Sequence, residues 1–162
     1  MFYKLFKALD EKFGFEQAKA HCDVPCGIYD PIVAQISALT VVRMMDLMAA
    51  LEGEGVAFDN SMSRYVTVKE EHAEQAKHEV RVIWGDFISP DHVKEYPELP
   101  ELVHKIMKLG SKARQTADRE AGVAFVDAIN KFAAIFWAIK GIKTKQAKAP
   151  YAPALEMVYP DL

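Results

Sequence analysis

The stretch DPIVAQISALTVVRMMDLMAAL, residues 30–51, predicts the first long helix of the chain. Asp30 can cap the first backbone N–H groups, and Pro31 suits the first turn because it has no N–H to satisfy. Apolar residues then recur at helical spacing and form one stripe, which comprises Ile32, Ile36, Leu39, Val42, Met45 and Leu51. Two glycines, Gly53 and Gly55, follow and are typical of a helix end.

Three further segments show helical periodicity. The second helix is predicted at about 64–87, after a polar connection at 59–61, and the third follows the proline-containing loop 96–100. The fourth is predicted at about 118–140. Alternating strand patterns and short hairpin turns are absent from the sequence. We therefore expect an all-α fold, an antiparallel four-helix bundle that occupies residues 32–140.

The C-terminal tail, residues 141–162, has a different character. It carries several lysines, and Pro150, Pro153 and Pro160 exclude a continuous helix. Its apolar residues could dock on a neighbouring surface, but the composition slightly favours a disordered terminus.

Length and charge narrow the functional class. A chain of 162 residues suits one compact domain. Its net charge of -3 makes a nucleic-acid partner unexpected, since there is no surplus of cations to neutralise phosphates. Continuous apolar runs are shorter than a membrane span, so no membrane partner is expected. Two cysteines are too few for the disulfide framework of a small secreted protein and suggest metal or redox chemistry.

Residues 1–20 read as a short amphipathic helix followed by Ala18-Lys19-Ala20, a small-x-small sequence of the kind that processing proteases cut. One interpretation is a leader that is removed; the other is an ordinary N-terminal helix packed on the body. Charges interrupt the apolar residues, unlike in a secretory signal. We therefore expect a cytoplasmic protein, although the cleavage sequence leaves export open.

A metal-binding pattern follows this segment. His21, Cys22 and Cys26 lie within six residues and can converge on one ion, and Pro25 and Gly27 can bend the chain between them. The set is one side chain short of a closed zinc site. Spacing alone leaves three alternatives open: incidental thiols beside a surface histidine, a non-catalytic metal-binding helical module, or a redox switch in which the two thiols form a reversible disulfide.

The segment HCDVPCGIYDP, residues 21–31, closely resembles the nickel-binding hook of nickel superoxide dismutases, and we call residues 21–31 the hook segment. The similarity continues at KEEHAEQAKH (69–78), at Trp84 and Asp86, at YPEL (96–99) and at IFW (135–137). It thus covers about residues 21–137, with the hook segment as its most specific part.

The resemblance implies a superoxide dismutase whose leader is cut between Ala20 and His21. The freed amine of His21, the main-chain nitrogen of Cys22 and the thiolates of Cys22 and Cys26 would then bind one nickel ion per subunit, with the His21 imidazole as an axial ligand. Ni(II)/Ni(III) cycling would convert superoxide to oxygen and hydrogen peroxide. The resemblance also implies that Tyr29 gates the open axial face and that Asp23 helps to hold the hook. The implied partners are superoxide, a maturation protease, a nickel donor and further copies in a homohexamer.

Three positions depart from the family pattern. A glutamate and an arginine that brace the axial histidine in familiar members fall at Ser37 and His72. Phe87 stands where a tyrosine is familiar. Because groups that bond to a metal ligand orient it and tune the metal, the axial bond is expected to be weaker or differently set in this chain.

Overall fold

The computed structural model describes residues 27–162, and within them the chain is mostly helical with one small antiparallel sheet. The elements are α1 (Ile32–Ala49), α2 (Val56–Val82), a π-helical segment (Ile83–Phe87), α3 (Pro90–Glu95), α4 (Leu99–Gln115), α5 (Arg119–Ile139), β1 (Thr144–Lys148) and β2 (Glu156–Pro160).

Side-chain caps fix the beginnings of three helices. The Asp30 carboxylate accepts a hydrogen bond from the backbone N–H of Ile32 at 2.8 Å, as the sequence predicts. Asp118 caps α5 in the same way, through the N–H of Ala121 at 3.1 Å. Ser89 caps the short helix α3, which periodicity did not predict, because a helix of six residues is too short to show a stripe.

The four long helices share one core. Helix α1 packs against α2 and α5, and α4 packs against the same two helices. Helix α5 provides the largest buried side chains, Phe125, Phe132 and Phe136. Apolar burial of this extent is the main contribution to stability, at roughly 25 cal/mol per Å² removed from water.

The second helix begins earlier than the sequence predicts. It starts at Val56, directly after Gly55, whose φ of 81° lets the chain turn into the helix. Residues 59–61, predicted as a connection, form its first turns. No residue of α2 before Lys69 is buried. Without a buried stripe these turns carry no apolar periodicity, and for this reason the predicted start of the helix was too late.

The fold is not all-α, and the expectation of a disordered tail at residues 141–162 was wrong, whereas the alternative that its apolar residues dock on a neighbouring surface is confirmed. This tail forms a β-hairpin in which β1 and β2 pair antiparallel, with Gln146 opposite Val158. Met157 and Val158 are buried in the core, together with Ala149. The strands are stabilised by each other and by helices distant in sequence, so short-range patterns do not reveal them.

Helices α1 and α5 are long and apolar enough to cross a membrane by length and composition. Core helices of globular proteins pass the same test, and 44% and 56% of the residues in the two windows are buried within the fold. The two helices are therefore weak evidence for a membrane, and the expectation of no membrane partner stays a prediction.

Candidate metal centre

The predicted site residues fall into two groups. His21, Cys22, Asp23 and Cys26 lie outside the described residues, as does the leader 1–20. The structure does place the end of the hook segment, with Tyr29, and the two positions that replace the familiar bracing residues, Ser37 and His72.

The end of the hook segment is bonded to the start of α1. Gly27 has a φ of 69°, a conformation that glycine adopts without a steric penalty and that turns the chain at the predicted bend. Asp30 then caps the helix, and the carbonyl of Pro31 accepts a hydrogen bond from the N–H of Gln35 at 3.1 Å. These two hydrogen bonds hold Asp30 and Pro31, the last residues of the hook segment, against the first turn of α1.

Tyr29 is half-buried and packs on the core beside Phe87, with 5.7 Å between the two ring centroids. Phe87 in turn contacts Phe136 of α5 at 5.0 Å and stacks on His92 of α3 at 5.5 Å. The exposed ammonium of Lys140 lies 5.1 Å from the Phe87 ring. Cation–π contacts of this kind contribute about 0.5–1 kcal/mol at exposed positions.

This aromatic cluster joins elements that are far apart in sequence. Sequence reasoning identified Tyr29 and Phe87 but missed His92 and Lys140 as their neighbours, because no local signal links them. The cluster places an ammonium group and an imidazole against Phe87, the ring on which Tyr29 packs. Such a charge raises the local concentration of small anions.

The two replaced bracing positions are on different helices. Ser37 is in the buried face of α1, only 2% exposed. The His72 Nδ1 atom on α2 lies 2.8 Å from the carbonyl oxygen of Val68. A carbonyl can only accept, so the Nδ1 atom of His72 donates this hydrogen bond. Within residues 27–162, Ser37 and His72 share no hydrogen bond. Their predicted action on His21 stays a prediction, since His21 lies outside this range.

Nickel suits the donor atoms that the sequence provides. No group of three or more His, Cys, Asp or Glu side chains that could hold a metal forms among residues 27–162. The only cysteines of the chain are Cys22 and Cys26. Thiolates together with amine or amide nitrogens favour square-planar Ni(II), so the residues present fit this metal. The larger surface grooves lie elsewhere: one of about 490 Å³, between α4 and α5, is lined by neither Tyr29 nor Phe87.

Comparison with known proteins places most of the chain in one family. Residues 16–140 match the model for nickel-containing superoxide dismutase. The chain is 39% identical over 121 residues to the superoxide dismutase [Ni] of Streptomyces coelicolor, an alignment that covers 75% of this chain and 88% of that protein. The superoxide dismutase [Ni] of Streptomyces seoulensis is 39% identical over 124 residues, covering 76% and 91%.

The solved structures give the same result. The native crystal structure of a nickel superoxide dismutase is similar with a TM-score of 0.67 at 39% identity, and the match covers 74% of this chain and 99% of that one. The oxidised-state crystal structure of a nickel-containing superoxide dismutase has a TM-score of 0.67, with 75% and 99% covered. The family match ends at residue 140, before the hairpin. From the family match, the two relatives and the shared fold, it follows that this chain belongs to the nickel-containing superoxide dismutase family.

Proposed function

We propose that the chain is a superoxide dismutase that binds nickel through His21, Cys22 and Cys26 after cleavage between Ala20 and His21. The observation that carries the proposal is the hook segment itself, which lies inside the family match and contains both cysteines of the chain. The net reaction combines two superoxide ions and two protons to give oxygen and hydrogen peroxide.

Cleavage decides whether the donor set is complete. In the uncut chain the His21 nitrogen is a peptide amide and cannot act as an amine ligand. Cutting before His21 frees that amine, which joins the Cys22 main-chain nitrogen and the two thiolates. Nickel, when bound, supplies the one-electron change between two oxidation states. Thiols and amide must lose protons to bind it, so affinity should weaken in acid.

The contacts of Tyr29 support the role that this residue has in the proposal. Tyr29 stands three residues after Cys26, and Phe87 supports its ring from the side of the core. This support limits the positions that the ring can take and suits the proposed gating of small anions. Lys140 adds positive charge beside Phe87, which favours the approach of superoxide.

The finer architecture is part of the same proposal. The four long helices are arranged as an antiparallel bundle that carries the hook segment, and the subunits form a homohexamer. The packing of α1 and α4 against both α2 and α5 supports the bundle. A maturation protease and a nickel donor act on the chain in the cytoplasm.

The test uses protein purified from its own host. Mass spectrometry should show an amino terminus at His21, and metal analysis should show one nickel per subunit. The oxidised protein should give a rhombic Ni(III) electron spin resonance signal that Cys22→Ser and His21→Ala abolish. The matched control is His104→Ala, an exposed histidine on α4 that should leave signal and activity unchanged.

Two results would contradict the proposal: active enzyme that keeps Met1, or activity with no nickel bound. Nickel binding without turnover would favour the metal-binding module instead. A Cys22–Cys26 disulfide that forms and reopens independently of nickel would favour the redox switch.

A further inference from the structure

The outer edge of the C-terminal hairpin is bonded to the helices. The N–H of Ala149 donates to the carbonyl of Leu155 at 3.0 Å, so the Leu155 carbonyl points towards the β1 side of the hairpin. Backbone groups alternate in direction along a strand, so the carbonyls of Glu156 and Val158 point away from β1. Carbonyl groups on such an edge need hydrogen-bond donors when they are buried.

Two side-chain amides supply those partners. The Gln35 Nε2 group donates to the Val158 carbonyl at 3.0 Å and to the Asn130 Oδ1 atom at 2.8 Å. The Asn130 Nδ2 group donates to the Glu156 carbonyl at 2.8 Å. Gln35 is only 2% exposed, and among residues 27–162 no buried side-chain nitrogen or oxygen lacks a partner. The network therefore joins α1, α5 and β2, and both N–H donors of the Gln35 amide are used in it.

Gln35 also connects to the hook segment through its backbone. Its N–H donates to the Pro31 carbonyl at 3.1 Å, one residue beyond the Asp30 cap. The first turn of α1 is thus fixed at one end to residues 30–31 and, through the Gln35 side chain, to the hairpin. A hairpin that lies beyond the family match is therefore joined, through Gln35, to the turn that follows the hook segment.

A second contact runs between the same regions. Lys140, in the short connection from α5 to β1, lies over Phe87 at 5.1 Å, and Phe87 packs on Tyr29. The connection before the hairpin is therefore linked to Tyr29 through Phe87, and the hairpin is linked to Pro31 through Gln35.

We propose that Gln35 is a positioning residue for nickel: it ties the first turn of α1 to the outer edge of the hairpin, and this attachment slows release of the metal from the hook segment. The inference rests on the proposed function, in which residues 21–26 hold the nickel. A looser first turn would give residues 21–26 more freedom to move away from the helices, and a chelator then has readier access to the metal.

The experiment follows nickel transfer from processed, nickel-loaded protein to excess EDTA. Gln35→Met keeps the length and volume of the side chain and removes both donors. We expect about tenfold faster nickel release, because loss of the two hydrogen bonds removes roughly 1.4 kcal/mol, which is a factor of about ten in rate. Gln75→Met, the same substitution at an exposed position of α2, should release nickel at the wild-type rate.

A second variant tests whether faster nickel release results from partial unfolding. Asn130→Ala breaks the same network from α5 and should also accelerate release, while circular dichroism verifies the helix content. Broadening of the Ni(III) spin resonance signal in either variant would support the proposal. If both folded variants release nickel at the wild-type rate while their melting temperatures fall, Gln35 acts only on stability and the proposal is overturned. A wild-type protein that binds no nickel would instead refute the proposed function.

Discussion

Replacing the buried Lys69 with methionine should destabilise the protein by about 3 kcal/mol. Lys69 is on α2 and only 2% exposed. Its ammonium donates to the carbonyl of Ala113 at 2.8 Å, to that of Arg114 and to that of Thr116 at 2.9 Å. The last carbonyls of a helix have no partner within the helix, so all three donors of one lysine complete the end of α4.

The magnitude follows from the burial of each bond. The bond to Ala113 is buried, and an unsatisfied buried carbonyl costs about 1–3 kcal/mol. The other two bonds are partly buried, so water can replace the ammonium and each loss costs about 0.5–1 kcal/mol. For a chain of this length, about 3 kcal/mol corresponds to a fall in melting temperature of about 6–12 °C.

Urea denaturation and calorimetry of Lys69→Met measure this loss. The matched control is Lys131→Met, an exposed lysine on α5, which should change stability by less than about 0.5 kcal/mol. A loss for Lys69→Met no larger than that of the control would refute the reasoning, because it would mean that water satisfies all three carbonyls.

The same lysine predicts a dependence on pH. Burial lowers the pKa of Lys69 below its ordinary value of 10.5, although the nearby Glu70 acts in the opposite direction. Between the folded pKa and 10.5 the unfolded chain binds more protons, so the free energy of unfolding rises with pH in that window. Lys69→Met should remove this rise; a rise of equal size in the variant would assign it to another group.

Three further predictions concern packing, a helix cap and the thiols. Gly110→Ala should lower the free energy of unfolding, measured in urea, by about 1–3 kcal/mol, although alanine has the better helix propensity. The added Cβ would lie 2.7 Å from Lys77 Cδ and 3.0 Å from Phe125 Cζ. A gain in stability would show that these neighbours move aside without cost. A hydrogen bond from Lys112 holds the pKa of Asp118 below its ordinary value of 3.8. The ionised carboxylate therefore contributes to the free energy of unfolding above pH 3.8, and this stabilisation is lost as the pH falls through the pKa of the folded state. Asp118→Asn should therefore lower the melting temperature at neutral pH and flatten its acid dependence, and an unchanged acid profile would contradict this. Nickel-free protein should lose its two thiols to peroxide faster than the nickel form in a thiol assay, since donation to the metal lowers their nucleophilicity; equal rates would exclude the protection.

Local chemistry made part of the structure predictable. Asp30 and Asp118 were recognised as helix starts because a cap involves residues only two or three positions apart. The candidate ligands were recognisable for the same reason, since His21, Cys22 and Cys26 lie in one short segment. The family similarity then supplied the metal and the reaction, which spacing alone had left among several alternatives.

The interior face of α1 shows where periodicity stops being sufficient. The pattern assigned Ile36 to the buried stripe, yet this residue is 44% exposed, whereas Gln35 is 2% exposed. A glutamine is tolerated there because the Val158 carbonyl and Asn130 satisfy its amide. Those partners are far away in sequence, so no window of residues around Gln35 contains the reason for its burial.

The sequence by itself indicated the four long helices, the capped start of α1 and the candidate donor atoms of the metal centre, because each of these depends on neighbours within a few residues. Only the tertiary structure decided that the tail pairs into a hairpin, that its outer edge docks on Gln35 and Asn130, and that Lys140 lies over Phe87. These contacts join segments whose stability comes from mutual burial and hydrogen bonding after the chain has folded, and they are invisible before the partners meet.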